Sequence, residues 1–194
     1  MSYLIQNILD VIEDIGEEDL TFRLSAFSCP ANRDIEDFLK LKAIDFAKKK
    51  ISITHIAFDK ETGDILGYFT LAHKVLTVPA GWMSNTVKRR MDRYGRLDKE
   101  KNSYLISAFL LAQIGKNYAV GEEMRIAGAE LMDCAESVLE EVQHIIGSGV
   151  VYLDSADNEQ LIHFYSDVCG YRKFSERVSD TNNTKYLQYL KFLC

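Results

Sequence analysis

One tyrosine near the C-terminal end, Tyr165, is either a core residue or a catalytic group. The segment "VVYLDSADNEQLIHFYSDVCGYRKF", residues 150–174, predicts a strand, a polar turn, a short helix over residues 158–168 and then Gly-Tyr. Leu161, Tyr165 and Val168 fall at helical spacing, so Tyr165 is expected to point toward the sheet. A tyrosine hydroxyl, with an ordinary pKa near ~10, can donate a proton in catalysis. From these residues alone, a core tyrosine with a local hydrogen-bond partner is the favoured interpretation.

A second stretch has the pattern of an anion site. In "AQIGKNYAVGEEMRIAGAELM", residues 112–132, an apolar strand runs into a glycine-containing turn and a helix start. Backbone N–H groups at a helix start lack intrahelical partners and bind anions. The candidates are Gly115, Lys116 and the turn of residues 125–129. Two glutamates at 122 and 123 would repel phosphate, and Gly128 could simply permit close packing.

A basic segment at residues 88–101 precedes both of these regions in the chain. Seven lysines and arginines fall within residues 88–101, partly offset by three carboxylates: Lys88, Arg89, Arg90, Arg93, Arg96, Lys99 and Lys101 against Asp92, Asp98 and Glu100. Such a run is either a solvated face or a local site for an anionic partner.

The elements that must position these residues begin with two helices and a strand. Apolar residues from Leu4 to Ile15 recur at helical spacing, and Gly16 ends that pattern. Residues 20–27 alternate as in a strand. A second helix begins at Asn32 or Asp34 and ends in the lysines at 48–50, with its inner face formed by Ile35, Phe38, Leu39 and Phe46.

The rest of the chain alternates strands and helices. Residues 51–58 and 65–76 predict a hairpin with Gly63 in its turn, and residues 103–115 predict a strand buried on both faces. Residues 121–146 contain the longest helix, stopped by Gly147, and strands follow at 149–156, 171–178 and 185–192. The inward positions of that helix are predicted to be Ile126, Leu131, Cys134, Ala135, Val138, Leu139, Val142 and Ile145. The order predicts an α/β (α+β) fold with a central mixed sheet and helices on both faces.

Length and composition exclude several classes of protein. The 194 residues predict a single domain, and 47% hydrophobic with 27% charged residues is typical of a soluble globular chain. The sequence has neither a transmembrane run nor a signal peptide, which predicts a cytoplasmic protein without membrane contact. The histidines (55, 73, 144, 163) and the cysteines are scattered, so we expect no metal site and no disulfide framework: Cys29, Cys134, Cys169 and Cys194.

Three stretches together resemble the GNAT acyl-CoA-dependent N-acetyltransferases. "LLAQIGKNYAVGEEMRIAGAELM" is similar to the central strand, pyrophosphate loop and helix of that family. "YLDSADNEQLIHFYSDVCGYRKF" resembles its last strand, short helix and closing strand. The segment from "AFSCPANRD" to "LAHKVL", residues 26–76, resembles the N-terminal half of toxin-type GNAT proteins. The resemblance implies the GNAT fold, with a twisted mixed sheet, and acetyl-CoA as acyl donor.

The resemblance also implies site residues. The pyrophosphate loop of the family follows the pattern Gln or Arg, two residues, Gly, one residue, then Gly or Ala. On this chain the first position of the pattern is Glu123, the middle glycine position is Ile126 and the last position is Gly128. Tyr165 would be the general acid that protonates the leaving thiolate, and a backbone amide near Ile114 would polarise the thioester carbonyl. The residues expected at the cofactor are Ile114, Gly115, Lys116, Arg125, Ala127, Gly128, Ala129, Asn158 and Tyr165.

The predicted function is transfer of an acetyl group from acetyl-CoA to a primary amine on a small-molecule or macromolecular acceptor. A narrower alternative is a toxin-like member that acetylates aminoacyl-tRNA, supported by the N-terminal half and the basic segment. The net charge of −6 disfavours a tRNA substrate. The unusual loop also leaves open a GNAT-like binding module without activity. A homodimer is left open as the oligomeric state.

Overall fold

The computed structural model describes residues 2–179 and 184–193. Its residues group into two compact units, Met1–Ala72 with Leu111–Ser137 and His73–Leu110 with Val138–Cys194. Strands β3 (Ile65–Pro79) and β5 (Ser103–Lys116) and helix α6 (Gly128–Ile146) contribute residues to both units. Cys194, one of the four predicted free cysteines, lies outside the described residues.

The first unit contains four helices and the N-terminal strands. Its elements are β1 (Tyr3–Asn7), α1 (Ile8–Ile15), α2 (Glu17–Ser25), α3 (Arg33–Leu41), α4 (Ala43–Lys48) and β2 (Ile53–Asp59), with the start of β3 and the end of β5. Strands β1 and β3 both pair with β2 in antiparallel fashion. Gly63, at φ +73°, makes the β2–β3 turn, which confirms the predicted hairpin. The core between sheet and helices includes Leu20, Leu24, Phe27, Leu39 and Tyr68.

The predicted first helix is wrong over its first residues. Tyr3–Asn7 forms strand β1, and the helix begins only at Ile8. Asn7 has extended backbone angles, and its side chain accepts a hydrogen bond from the N–H of Leu9. This cap fixes the helix start, so Leu4 belongs to the strand although its spacing fits the helix.

The predicted strand at residues 20–27 is also wrong, because Glu17–Ser25 forms helix α2. Three carboxylates in the first turn complement the positive end of the helix dipole. Leu20 and Leu24, four residues apart, are both fully buried, which is the helical spacing. The next predicted helix is confirmed from its Asn32 cap, but it is interrupted at Lys42 into α3 and α4.

The second unit holds the C-terminal strands. It contains α5 (Asn85–Met91), β4 (Leu97–Asp98), β6 (Val150–Ala156), α7 (Glu159–His163), β7 (Arg172–Val178) and β8 (Lys185–Phe192). Strand β5 pairs parallel with β6, while β8 lies antiparallel between β6 and β7. Its core includes Val78, Met91, Tyr104, Ile106 and Val150. Strands 150–156, 172–178 and 185–192 thus confirm the predicted ones.

Two predictions of burial are wrong in this unit. Leu105 in β5 is 64% exposed, so this end of the strand is not buried on both faces. Ile145 is 80% exposed because it lies in the last turn of α6, just before the chain leaves the helix at Gly147. Gly147 has a φ of +76° and donates its N–H to the carbonyl of Gln143, which confirms the predicted stop.

The strands form a mixed sheet flanked by helices, which confirms the α/β class. Among the described residues, no helix combines the length and apolar character needed to cross a membrane.

Candidate functional site

The end of β5 is packed tightly against β3 through two glycines. A Cβ on Gly67 would lie 2.8 Å from the carbonyl oxygen of Gly115, and one on Gly115 would overlap the side chain of Ile35. Gly115 therefore serves close packing of the strand that carries the predicted cofactor residues. Ile114 beside it is half-buried, near the C-terminal end of the strand.

The loop of residues 117–127, which we call the β5–α6 loop, begins with a buried asparagine that the sequence did not single out. Asn117 is 4% exposed and donates its Nδ2 to the carbonyl of Ile65 at 2.7 Å. Its Oδ1 accepts the N–H groups of Ser28 at 2.9 Å and Ala119 at 3.0 Å. Its own N–H donates to the carbonyl of Leu66. An asparagine after a strand has no distinctive pattern, and only its long-range partners reveal this role.

Two of the predicted cations gather around one aromatic ring in the β5–α6 loop. The Nζ of Lys116 lies 5.7 Å and the guanidinium carbon of Arg125 lies 5.0 Å from the ring centroid of Tyr118. Arg125 also makes a long, 3.4 Å contact to Glu122, and its Nε is buried without a partner among the described residues. Lys116 and Arg125, two of the residues expected at the cofactor, thus lie around the same ring.

The remaining predicted cofactor residues of this region lie at the start of α6. Ala127 directly precedes the helix, and its N–H donates to the carboxylate of Glu130 at 3.1 Å. Gly128 and Ala129 open the helix, where backbone N–H groups have no intrahelical acceptor. Ile126 stands where the family pattern has glycine, and it is 1% exposed. A Cβ on Gly67 would lie 3.4 Å from its side chain, an ordinary van der Waals distance, so Ile126 packs against β3 at this glycine.

The second predicted region is the turn of residues 158–171, which we call the Tyr165 turn. Asn158 caps α7, and its Oδ1 accepts the N–H groups of Gln160 and Leu161. The helix then widens into a π-helical turn over Phe164–Val168, closed by the N–H of Cys169 on the carbonyl of Phe164. The wider turn rotates Val168 outward, where it is 53% exposed, so its predicted place beside Tyr165 is wrong.

Tyr165 is buried in a cluster of aromatic rings. Its ring centroid lies 5.1 Å from that of Phe164 and 5.9 Å from that of Tyr189. Its carbonyl accepts the N–H of Tyr171, which fixes the chain after the turn. Burial, followed by the nearby Cys169 and Tyr189, raises the pKa of Tyr165 to about 12. The hydroxyl therefore keeps its proton throughout the neutral range and can act as a donor.

Two histidines of the second unit have side-chain hydrogen-bond partners. The Nε2 of His73 lies 3.0 Å from the Oγ of Ser107, and both residues are exposed. His163 pairs with Asp167 at the surface, as expected for a residue on a different face from Tyr165. Within the described residues, no group of three or more His, Cys, Asp or Glu side chains is arranged to hold a metal ion.

The basic segment is anchored at one arginine and otherwise open. Arg90 donates to the carbonyl of Leu193 and its guanidinium lies 4.5 Å from the ring centroid of Phe192. Six of the seven cations are exposed and Lys88 is half-buried. None of the seven makes an ion pair with a carboxylate in the described part of the chain. The segment thus carries an excess of positive charge, seven cations against three carboxylates, despite the acidic balance of the whole chain.

This chain matches known proteins in structure but not in sequence. No family model matches the sequence, and no curated protein matches it. A structure of AtaT complexed with acetyl-methionyl-tRNAfMet matches with a TM-score of 0.64 and 16% identity, covering 96% of this chain and 94% of that one.

Two further solved structures give the same result. A tyrosine-to-phenylalanine mutant of KacT matches with a TM-score of 0.67 and 15% identity, covering 100% of this chain and 96% of that one. A tyrosine-to-phenylalanine mutant of the toxin AtaT, bound to acetyl-CoA and to the C-terminus of the antitoxin AtaR, matches at 0.62 and 17%, covering 100% and 94%. The GNAT fold predicted from the sequence is therefore confirmed.

Proposed function

We propose that this protein transfers the acetyl group of acetyl-CoA to a primary amine, with Tyr165 as proton donor. The observation that carries the proposal is the buried, protonated Tyr165 in a chain whose fold matches AtaT bound to acetyl-CoA over nearly its whole length. The fold alone does not fix an activity, so the side chains must support it. A tyrosine with these surroundings and a loop that gathers two cations are the groups that this reaction needs.

The chemistry balances without any further reagent. The neutral amine attacks the thioester carbonyl, the carbon–sulfur bond breaks, and the products are an N-acetyl amine and the free thiol of CoA. The pKa of Tyr165, about 12, lies above the ~8.5 of a free thiol. Donation to the sulfur is therefore favourable only if the proton shed by the attacking nitrogen returns to the tyrosine in the same step. Tyr165 would thus relay a proton from nitrogen to sulfur.

The acyl donor would be held mainly by backbone groups and by the two cations. The N–H groups of Gly128 and Ala129 at the start of α6 suit the pyrophosphate, with Lys116 and Arg125 adding positive charge. The Ala127 N–H would contribute only if Glu130 gave up its hydrogen bond. A backbone amide near Ile114 would polarise the thioester carbonyl, and Asn158 would contact the pantetheine arm.

The finer proposal for the acceptor is the amino group of an aminoacyl-tRNA. The AtaT structure that this fold matches contains acetyl-methionyl-tRNAfMet. The basic segment has more cations than carboxylates and none of these cations is in an ion pair in the described part of the chain, so it offers the local positive charge that a phosphate backbone requires. A small amine acceptor would not require such a basic surface.

The test is transfer of labelled acetyl from acetyl-CoA to charged tRNA and, separately, to small primary amines. We expect labelled aminoacyl-tRNA, with a rate that falls steeply as salt increases. Arg89→Glu with Arg93→Glu should lower transfer to tRNA at least tenfold. The control pair Lys42→Glu with Lys60→Glu, which makes the same change in net charge outside the segment, should stay within about twofold.

Each outcome selects one class of function. Rapid, salt-insensitive acetylation of small amines with no transfer to tRNA would contradict the tRNA acceptor and leave the acetyltransferase. Binding of acetyl-CoA without transfer to any amine would favour the module without activity. Absence of acetyl-CoA binding would contradict the proposed function as a whole.

A further inference from the structure

We propose that Asn117 is a positioning residue that fixes the β5–α6 loop in the shape that holds the phosphate end of CoA. The inference rests on the proposed function, since it assigns a role within the same cofactor site. Asn117 is not one of the residues that the family resemblance carries, and its role follows from its contacts alone.

The side chain of Asn117 joins three separate parts of the first unit. Its Nδ2 reaches the carbonyl of Ile65 at the start of β3, and its Oδ1 reaches the N–H of Ser28 between α2 and α3. The second lone pair of Oδ1 accepts the N–H of Ala119 in the loop itself. The amide is therefore satisfied on both its oxygen and its nitrogen in a buried place, where an unpaired group would be costly.

The neighbouring backbone repeats the same connections. The N–H of Asn117 donates to the carbonyl of Leu66, and the N–H of Tyr118 donates to the carbonyl of Ser28, both at 2.8 Å. The chain just after β5 is thus held on two sides. Tyr118 follows directly, and its ring is where Lys116 and Arg125 meet. A rotation at Asn117 would move that ring and separate the two cations.

The geometry of the amide also explains why its polarity matters. Aspartate has almost the same shape and keeps the acceptor for Ser28 and Ala119. It would, however, place a carboxylate oxygen against the carbonyl of Ile65, where the asparagine donates. Asn117→Asp should therefore release the β3 side of the loop while the packing volume stays constant.

A purely structural role would lower stability without touching the cofactor, so the experiment needs a matched destabilised control. Thr54 and Thr70 share a buried hydrogen bond of 2.8 Å in the β2–β3 hairpin of the same unit. Thr54→Val leaves the Thr70 hydroxyl without that partner and alters nothing in the loop. CoA affinity is then measured by titration calorimetry on the wild type, Asn117→Asp, Asn117→Ala and Thr54→Val, well below each melting temperature.

We expect the two Asn117 variants to bind CoA at least tenfold more weakly, and Thr54→Val to stay within twofold of the wild type at a comparable loss of melting temperature. Turnover at saturating acetyl-CoA should fall much less than affinity, because Asn117 does not touch the reacting atoms. Equal affinity in Asn117→Asp and Thr54→Val would overturn the inference and leave the proposed function intact. A wild type that binds no CoA would overturn both.

Hydrogen exchange of the wild type gives a second test that does not depend on a variant folding. The N–H groups of Tyr118 and Ala119, which bond to Ser28 and Asn117, should exchange at least fivefold more slowly when CoA is bound. Unchanged exchange at these two amides in a protein saturated with CoA would contradict a coupling between the Asn117 contacts and the ligand.

Discussion

The β5–α6 loop and the Tyr165 turn both follow a strand, but the groups proposed to act in the two regions are of different kinds. In the Tyr165 turn the proposed group is a side chain, Tyr165, held in an aromatic cluster by a capped helix. After the β5–α6 loop the proposed groups are mostly backbone N–H donors at the start of α6, and side chains such as Asn117 hold the loop that leads to them.

This difference accounts for the fact that residues 158–171 resemble the GNAT pattern, whereas residues 123–128 depart from it. A proton donor must keep its residue type, whereas any residue except proline can supply a backbone N–H if the chain path is right. Ile126, buried against β3 at Gly67, can therefore stand where the GNAT pattern has glycine. Whether a loop can bind a ligand through its backbone therefore depends more on the residues that fix its path, such as Asn117, than on its sequence motif.

The largest effect is expected from Tyr165→Phe, which removes the hydroxyl and keeps the ring. Turnover with acetyl-CoA should fall about 10²-fold or more, while CoA affinity stays within about twofold. The matched control is Tyr189→Phe, because the Tyr189 hydroxyl is buried without a partner among the described residues and its ring packs on the same cluster. Equal turnover in both variants would show that Tyr165 is a core residue. The Tyr165 turn would then supply no catalytic side chain.

Gly67→Ala tests the path of the β5–α6 loop without altering any loop residue. The new Cβ would lie 2.8 Å from the Gly115 carbonyl oxygen, so the strands must separate, at a cost of about 1–3 kcal/mol in unfolding free energy. CoA affinity should fall in parallel, because Gly115 at the end of β5 and Leu131 in the first turn of α6 must both shift. Gly81→Ala, whose Cβ would meet no atom within 4 Å, should change neither quantity. Normal CoA binding by a destabilised Gly67→Ala would argue that the loop path is not critical.

Asn158→Ala separates capping from cofactor contact in the Tyr165 turn. Loss of the cap should cost about 1 kcal/mol of stability, measured by denaturant unfolding. Asn32→Ala removes the equivalent asparagine cap of α3 and should cost a similar amount. Only Asn158→Ala should also weaken acetyl-CoA binding, by a few fold. Equal binding by the two variants would restrict Asn158 to its cap.

The smallest effect concerns alkaline pH, where we expect no loss of activity. The rate should rise as the acceptor amine, with a pKa near ~8 for an α-amino group, loses its proton, and then stay level to about pH 11. The reason is that burial raises the pKa of Tyr165 to about 12, so the donor stays protonated over this range. Stability contributed by this raised pKa is complete below about pH 10 and is lost as the pH rises toward 12. A descending limb centred near pH 9–10, absent in Tyr165→Phe, would show an unperturbed tyrosine.

The parts of the fold that could be predicted from sequence are those set by local contacts. The Gly63 turn, the start of the short helix at Asn158 and the Gly147 stop each depend on neighbouring residues and appear where predicted. Residues 20–27 were misassigned because their apolar positions fit alternation and also the four-residue spacing of a helix. The carboxylates at 17–19 were the local signal that favoured the helix.

The candidate site was predictable only in part for the same reason. Tyr165 could be found because its helix has a recognisable cap and an apolar face, but the outward turn of Val168 depends on the π-helical hydrogen bond from Cys169. Asn117 was missed because its partners Ser28 and Ile65 lie far away along the chain. The exposed Leu105 was also missed, because its strand is mostly apolar.

The most direct test of the central claim is thermal unfolding of the wild type with and without saturating acetyl-CoA. A ligand present at ~100 times its dissociation constant adds ~2.7 kcal/mol to the stability of the folded state. For a chain of this size we predict a rise of about 5–10 °C in melting temperature, with a similar rise for CoA alone. No rise with either ligand would contradict the account, because a loop that binds no CoA leaves Tyr165 without a thioester to act on.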